Sequence, residues 1–473
     1  MENAEIAPSP LFARKWWVLV SVGIGTFMSA LDGSVVNANL PVITAYFDST
    51  VAVIEWVVVV YLLVVSGLLL SFGRLGDLRG HKRVYITGYI LFIISSTLCG
   101  LSPSPQALIV FRGVQAIGAA MLFANSPAIL TGNFPPTQRG QALGMQAMLT
   151  YLGLTAGPSL GGWLAQLFGW RAIFYINVPV GIVGLLACLR FIPDDREHAV
   201  NETFDWKGAL VFTAGLVTLL FALNQGHAWG WTSPKIILLV FSSLSLLLLF
   251  IWVEQHTAAP MLDLGLFRRS DFSSSVAGAL LNYVCLYSIT FLLPFYLIQG
   301  RQLSPARAGL ILTAQPLVMM VVAPISGTLS DRVPARPLAT TGMLILAVGL
   351  WLLSLLKPNS PIQHVALSLA VCGLGTGLFV SPNNNTLLGS APRARQGIAS
   401  GILAMARNMG MALGVGLAGA IFTSVVARYP ERQAKQALFP AIHWGFVVAA
   451  GLAVFGAVIS LIRRDTISKK PRT

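Results

Sequence analysis

The sequence predicts an all-α integral membrane protein of fourteen transmembrane helices, arranged as two six-helix bundles plus two additional helices. Three observations predict it. Of the 473 residues, 55% are hydrophobic and only 10% charged, whereas soluble domains carry about 25% charged residues. Apolar runs recur from end to end, most of them near the roughly 20 residues a helix needs to cross the hydrocarbon core. Finally, short motifs in the first half of the chain return in the second at offsets of 254 and 257 residues.

Taken in order, turn residues, charges and prolines cut the chain into spans at 16–40, 54–72, 84–102, 106–131, 141–165, 171–192, 207–224, 235–254, 273–298, 306–330, 338–356, 363–387, 398–425 and 440–463. The opening MENAEIAPSP is polar and acidic, with no short hydrophobic core before a small-residue cleavage site, so the first span is expected to stay in the product. With the N-terminus inside, the inner segments hold Arg14, Lys15, the loop RLGDLRGHKR, Arg139, Arg190, Arg196, Lys207, Arg268, Arg269, Arg332, Arg336, Arg393, Arg395 and five tail residues. These are most of the chain's 31 Lys and Arg. That excess predicts a multi-pass protein of the cytoplasmic membrane with both termini cytoplasmic. It also explains the net charge of +14 without nucleic acid, because the basic residues lie in short loops between apolar runs. Cys99, Cys188, Cys285 and Cys372 all fall inside apolar segments without pairable spacing and read as small hydrophobes.

The repeat sets the domain organisation. GRLGDLRGHKR at 73–83 has a partner in GTLSDRVPAR at 327–336, aligning Gly73, Leu75 and Asp77 with Gly327, Leu329 and Asp331. Gly140, Gly144, Gly153 and Gly157 align in the same way with Gly397, Gly401, Gly410 and Gly414. Two six-helix halves separated by two extra helices produce these offsets, and parallel repeats of this kind are typical of alternating-access transporters. The expected division is 1–195, an N-terminal bundle; 196–270, a linker with the two extra helices; and 271–473, a C-terminal bundle and tail.

Three motifs carry chemistry. In GRLGDLRGHKR, Gly73 and Gly80 permit a tight turn, and Asp77 is suited to pair with a helix N-terminus or an arginine, latching the halves. In GLTAGPSLGGW, the small residues Gly153, Gly157, Gly161 and Gly162 let helix backbones approach, while Pro158 removes a backbone donor. RGVQAIGAA puts Arg112 inside a span, where it should face the interior and pair with a carboxylate or backbone carbonyls.

With these motifs, nearly the whole chain resembles the fourteen-span drug:proton antiporters of the major facilitator superfamily. The first motif is similar to that superfamily's loop between spans 2 and 3, with Gly73, Leu75, Asp77, Gly80, Lys82 and Arg83 in register and Leu78 where a basic residue is usual. The second resembles its exporter pattern, and the third its fourth-span motif with Ala116 in place of glycine. LDGSVVNANLP, WRAIFYINVPVG and FDWKG resemble the fourteen-span group in particular. The resemblance implies the major-facilitator fold, export of drug-like small molecules, the proton as coupling ion, no other cofactor, a part for Arg112 in proton relay, and action as a monomer.

Of seventeen acidic residues, only Asp32 falls deep in a span. A buried carboxylate is neutral unless a cation offsets its desolvation, so a proton and a cationic cargo can compete for it. Asp32 is therefore the expected site of proton exchange, with Glu55 near the outer mouth as its substitute. Asn37, Tyr61, Asn125, Gln146, Asn282, Gln315, Asn383 and Arg407 are candidate cavity residues, and aromatic side chains such as Phe123 could supply an apolar wall. A membrane-embedded enzyme is the rival of another class. All six histidines, however, fall in loops or near span ends, with no metal-ligand spacing and no GxxxxGK[ST] loop. A dedicated exporter of one metabolite or of a self-made antibiotic stays open, since motifs describe the machine and scattered cavity residues set the cargo.

Overall fold

The computed structural model describes residues 10–194, 203–230, 232–257, 260–262, 264–392, 395–429 and 434–462. Arg196, Arg393 and the five basic tail residues lie outside the described residues.

Among the described residues, fourteen long helices follow one another along the chain. The first six are α1 (Pro10–Ala38), α2 (Trp56–Arg79), α3 (His81–Leu101), α4 (Pro105–Asn133), α5 (Arg139–Phe168) and α6 (Asn177–Phe191), the last led in by the turn Ala172–Tyr175. Next come α7 (Trp206–Trp229) and α8 (Pro234–His256). The remaining six are α9 (Ser270–Pro294), α10 (Ala314–Ser330), α11 (Ala335–Ser354), α12 (Ile362–Ser390), α13 (Gln396–Val426) and α14 (Ala434–Ile462). Helix starts follow local chemistry: Ser104, Asp205 and Ser233 each accept a hydrogen bond from a first-turn amide.

Among the described residues, thirteen helices are both long and apolar enough to cross a membrane. The exception is α5, which has the length, 30 residues, but not the apolarity. Its glycines, glutamines, threonines and serine lower its hydropathy because it is wedged between α1 and α10. Close protein packing substitutes there for apolar surface.

The helix pairs of the first half recur in the second. Where α1 packs on α5 and α6, α9 packs on α13 and α14; where α4 packs on α2 and α3, α12 packs on α10 and α11. The two bundles meet along two seams, α2 against α13 and α5 against α10. Helix α7 packs on α8, α2 and α13, with Thr213 Oγ1 donating to the Gly67 carbonyl at 2.9 Å, so the extra pair sits on the outside of one seam.

Candidate functional site

Both seams are tied at one end by the same device. After the turn at Gly80, whose φ of 96° suits glycine, α3 runs back along α2 and leaves Asp77 at the seam. The Asp77 carboxylate accepts from the Gly397 and Ile398 amides at 2.7 and 2.9 Å, capping the N-terminus of α13. Asp331, just past α10, accepts from the Gly140 and Gln141 amides at 2.8 and 2.9 Å, capping α5. A helix N-terminus presents unpaired amides and partial positive charge, so each carboxylate binds the opposite bundle through two charge-assisted bonds. Gly73 lies against the Gly397 carbonyl and Gly327 against that of Gly140, too close for a Cβ at either position. His81 stands by the first clamp, with Nε2 3.4 Å from Asp77 and Nδ1 2.8 Å from Asn125 Oδ1. Burial raises the pKa of the Asp331 carboxyl above its ordinary value, against the lowering effect of its two amide bonds. Lys82 lies outside the seam, 2.7 Å from exposed Asp194, whose pKa it lowers. Arg83 is exposed.

The second constellation is a buried ion pair inside the first bundle. Asp32, with no side-chain exposure, accepts from Arg112 Nη1 at 2.6 Å. Its other oxygen accepts from Asn177 Nδ2 at 2.8 Å and Gln115 Nε2 at 3.1 Å. Arg112 also donates to Gln115 Oε1 and to the Val57 carbonyl, and stacks on Tyr61 with 4.2 Å to the ring centroid. Gln115 and Asn177 both reach Ser96 Oγ. Five helices therefore contribute to one cluster, and three donors from α4 and α6 point at the Asp32 carboxylate. Gln115 was legible as the residue three after Arg112, on the same helix face; Asn177 falls within the stretch WRAIFYINVPVG, which did not single it out, and Ser96 carried no sequence signal of its own.

The third feature is a central cavity of about 620 Å³, including its open mouth, directly beyond the clamps. On α5 and α13 the closely packed glycines Gly144 and Gly401 give way within a few residues to cavity wall. Gln146, Thr150 and Tyr151 line it on one side, Ser400, Ala404 and Arg407 on the other. Thr26, Phe123, Tyr283 and Asn384 complete the polar and aromatic lining. Neither α7 nor α8 contributes to it.

Of the cavity candidates read from sequence, Gln146 and Arg407 line this space. The other six do not, for identifiable reasons. Asn37 is exposed near the end of α1. Tyr61 is held under Arg112. Asn125 is engaged by the Phe72 and Met121 carbonyls and by His81. Asn282 points at Met343 in the second bundle, Asn383 ties α12 to the Ser275 carbonyl, and Gln315 is buried where α10 meets α12. A polar residue in a span satisfies helix packing as readily as it lines a cavity, and sequence does not separate the two. Asp32 also stands off the cavity: Thr26 lines it, and Asp32 lies six residues on, about 9 Å along α1. Glu55 is exposed before α2. The exporter-pattern glycines face α1, with Gly153 against Phe27 and Leu31, Gly157 against Ser34 and Gly161 against Val35 and Asn39, while Gly162 meets open space and Pro158 is exposed. Among the described residues, no His, Cys, Asp or Glu cluster forms a metal site.

Duplicated six-helix halves, twin clamps across their seams and a cavity between them define a multi-pass membrane transporter rather than an enzyme. The chain belongs to the Major Facilitator Superfamily, whose model matches residues 22–275 and again 275–473. Its relatives place it on the drug-exporter-like side of that superfamily. It is 35% identical to the riboflavin transporter RibZ of Clostridioides difficile, over 95% of this chain and 97% of that one. It is 32% identical to the multidrug resistance protein Stp of Mycobacterium tuberculosis (89% and 78%) and 30% identical to the tetracenomycin C resistance and export protein of Streptomyces glaucescens (91% and 80%). Among solved structures, the human organic anion transporter MFSD10 aligns over 96% of this chain and 100% of that one with a TM-score of 0.66. The proton:xylose symporter XylE aligns over 94% and 95% with 0.64. Both are 14% identical, a likeness that shows the fold alone.

Proposed function

We propose that the chain is a proton-coupled efflux antiporter of the cytoplasmic membrane, carrying small lipophilic compounds outward by alternating access. The observation that carries the proposal is the buried Asp32–Arg112 pair. Removing one partner of a buried ion pair typically costs 3–5 kcal/mol, so a proton added to Asp32 alters the balance of the first bundle substantially. On protonation the carboxyl no longer holds Arg112, which keeps Gln115, the Val57 carbonyl and the Tyr61 ring as partners. The excess of basic residues at the clamped end makes that end cytoplasmic. The conformation described is then closed at its inner end by the clamps.

The cationic cargo expected from sequence is not carried forward. Asp32 is fully engaged away from the cavity, and the described cavity lining has a cation, Arg407, and no carboxylate. Dedicated export of one metabolite is the second reading, favoured by the near-full-length likeness to a protein named for riboflavin transport. Both readings meet the same test. Purified protein in vesicles is given an imposed pH gradient and a panel of cationic, neutral and anionic compounds that includes riboflavin. Gradient-driven movement of at least one compound, abolished by a protonophore and by Asp32→Asn, is the expected result. Movement that persists after both treatments excludes proton coupling through Asp32.

A further inference from the structure

We infer that the central cavity selects an anionic, planar aromatic cargo, with Arg407 as the residue that recognises its negative charge. The inference rests on the exporter reading in taking this cavity as the cargo site. It begins from a charge without a counter-charge. Arg407, half-buried on α13, holds its guanidinium 5.0 Å over the Phe123 ring, with Tyr283 lining the same space. Its Nε has no partner. The described cavity lining contains no Asp or Glu, and Asp32, the buried carboxylate of the neighbouring bundle, is consumed by Arg112, Gln115 and Asn177.

Two further polar groups that line the same space, the Tyr151 and Ser400 hydroxyls, are buried without hydrogen-bond partners. Buried polar groups are ordinarily satisfied, and three unsatisfied ones around one cavity point to a ligand that completes them. All three can donate, and the strongest is a fork of guanidinium N–H groups that suits a carboxylate, sulfonate, phosphate or phenolate oxygen. Phe123, Tyr151 and Tyr283 add flat aromatic surface beside that fork. Arginine stacks on aromatic planes while its edge binds an anion, so a planar ring bearing a negative group satisfies both features at once. A cationic cargo meets the opposite situation: like charge at close range, with no carboxylate in the described lining to offset it.

The test uses two dyes that share a xanthene scaffold and differ in charge, fluorescein as the dianion and a rhodamine ester as the cation. Binding to the purified full-length protein is followed by fluorescence anisotropy. The expected result is tighter binding of fluorescein than of the rhodamine ester. Arg407→Gln should weaken fluorescein roughly 10- to 100-fold, the loss of one charge-assisted hydrogen bond, and leave the rhodamine ester equal or tighter. Arg407→Lys keeps the charge, and should retain most of the fluorescein affinity that Gln loses; it also preserves the test if Arg407→Gln fails to fold. Rhodamine ester binding as tight as fluorescein, or fluorescein affinity unchanged in Arg407→Gln, overturns the inference. Binding of neither dye overturns it as well, and leaves the exporter reading to stand or fall on the vesicle assay with Asp32→Asn.

Discussion

Replacing Asp77 with Asn should open the clamped end of the transporter by a predictable amount. In the closed conformation the Asp77 carboxylate, 1% exposed, accepts two amide bonds from the first turn of α13. Asparagine offers one oxygen and no charge, so it loses one charge-assisted bond and the attraction to the helix N-terminus. Together these amount to about 2 kcal/mol. That is roughly a 30-fold shift of the equilibrium away from closure. Asp331→Asn should act in the same direction through α5, and the double variant should shift further than either alone. Spin labels at Arg79→Cys and Arg332→Cys, exposed positions flanking the clamps, report the distance across this end. The four native cysteines are buried and do not compete for label. Wild type should show one short distance, and the variants a growing long-distance population. A double variant with the wild-type distance distribution refutes the clamp as the element that holds this end shut.

Two further outcomes follow from packing inside the first bundle. A Cβ at Gly157 would overlap the Ser34 side chain, so Gly157→Leu should force α5 from α1, abolishing transport in a protein that still inserts at normal levels; normal efflux by this variant removes the motif from the mechanism. Arg112→Gln strands Asp32 among groups chosen to hold a charge pair and should lower stability by about 3–5 kcal/mol, seen as a reduced unfolding midpoint in detergent. Adding Asp32→Asn to it should recover most of that loss, and failure of the double variant to recover shows that the two residues are not energetically paired.

Helix number and the clamp residues were open to sequence reading because each depends on local pattern. A span needs only a run of apolar residues, and Asp77 stands out because its whole loop recurs around Asp331. Even α5, the least apolar helix, was legible through its glycines, whose role is to replace apolar surface with close contact. The partner of Arg112 was not legible. Asp32 and Arg112 lie eighty positions apart, and Asn177 is more distant still; only the packing of α1, α4 and α6 brings them together. The cavity was the hardest part. Gln146 and Asn125 are equally polar and equally within spans, yet one faces the cavity and the other is held by neighbouring carbonyls. Which way a polar residue faces depends on how a helix is rotated in its bundle, and the apolar pattern of a helix surrounded by protein and lipid gives that rotation only weakly. The same limit applies to Asp32, whose partners and place off the cavity lining come from packing and not from local pattern.

The most direct test of proton exchange at Asp32 needs no cargo. The label pair across the clamped end is read over a pH series in wild type and in Asp32→Asn. If Asp32 takes up the coupling proton, the closed fraction of wild type should change across a single-proton transition, and the variant should hold a closed fraction that no longer carries this transition. His81 beside one clamp and Asp331 in the other are present in both proteins, so the difference between the two curves isolates Asp32. An Asp32→Asn variant that keeps the wild-type midpoint and amplitude contradicts the assignment and moves the coupling proton elsewhere.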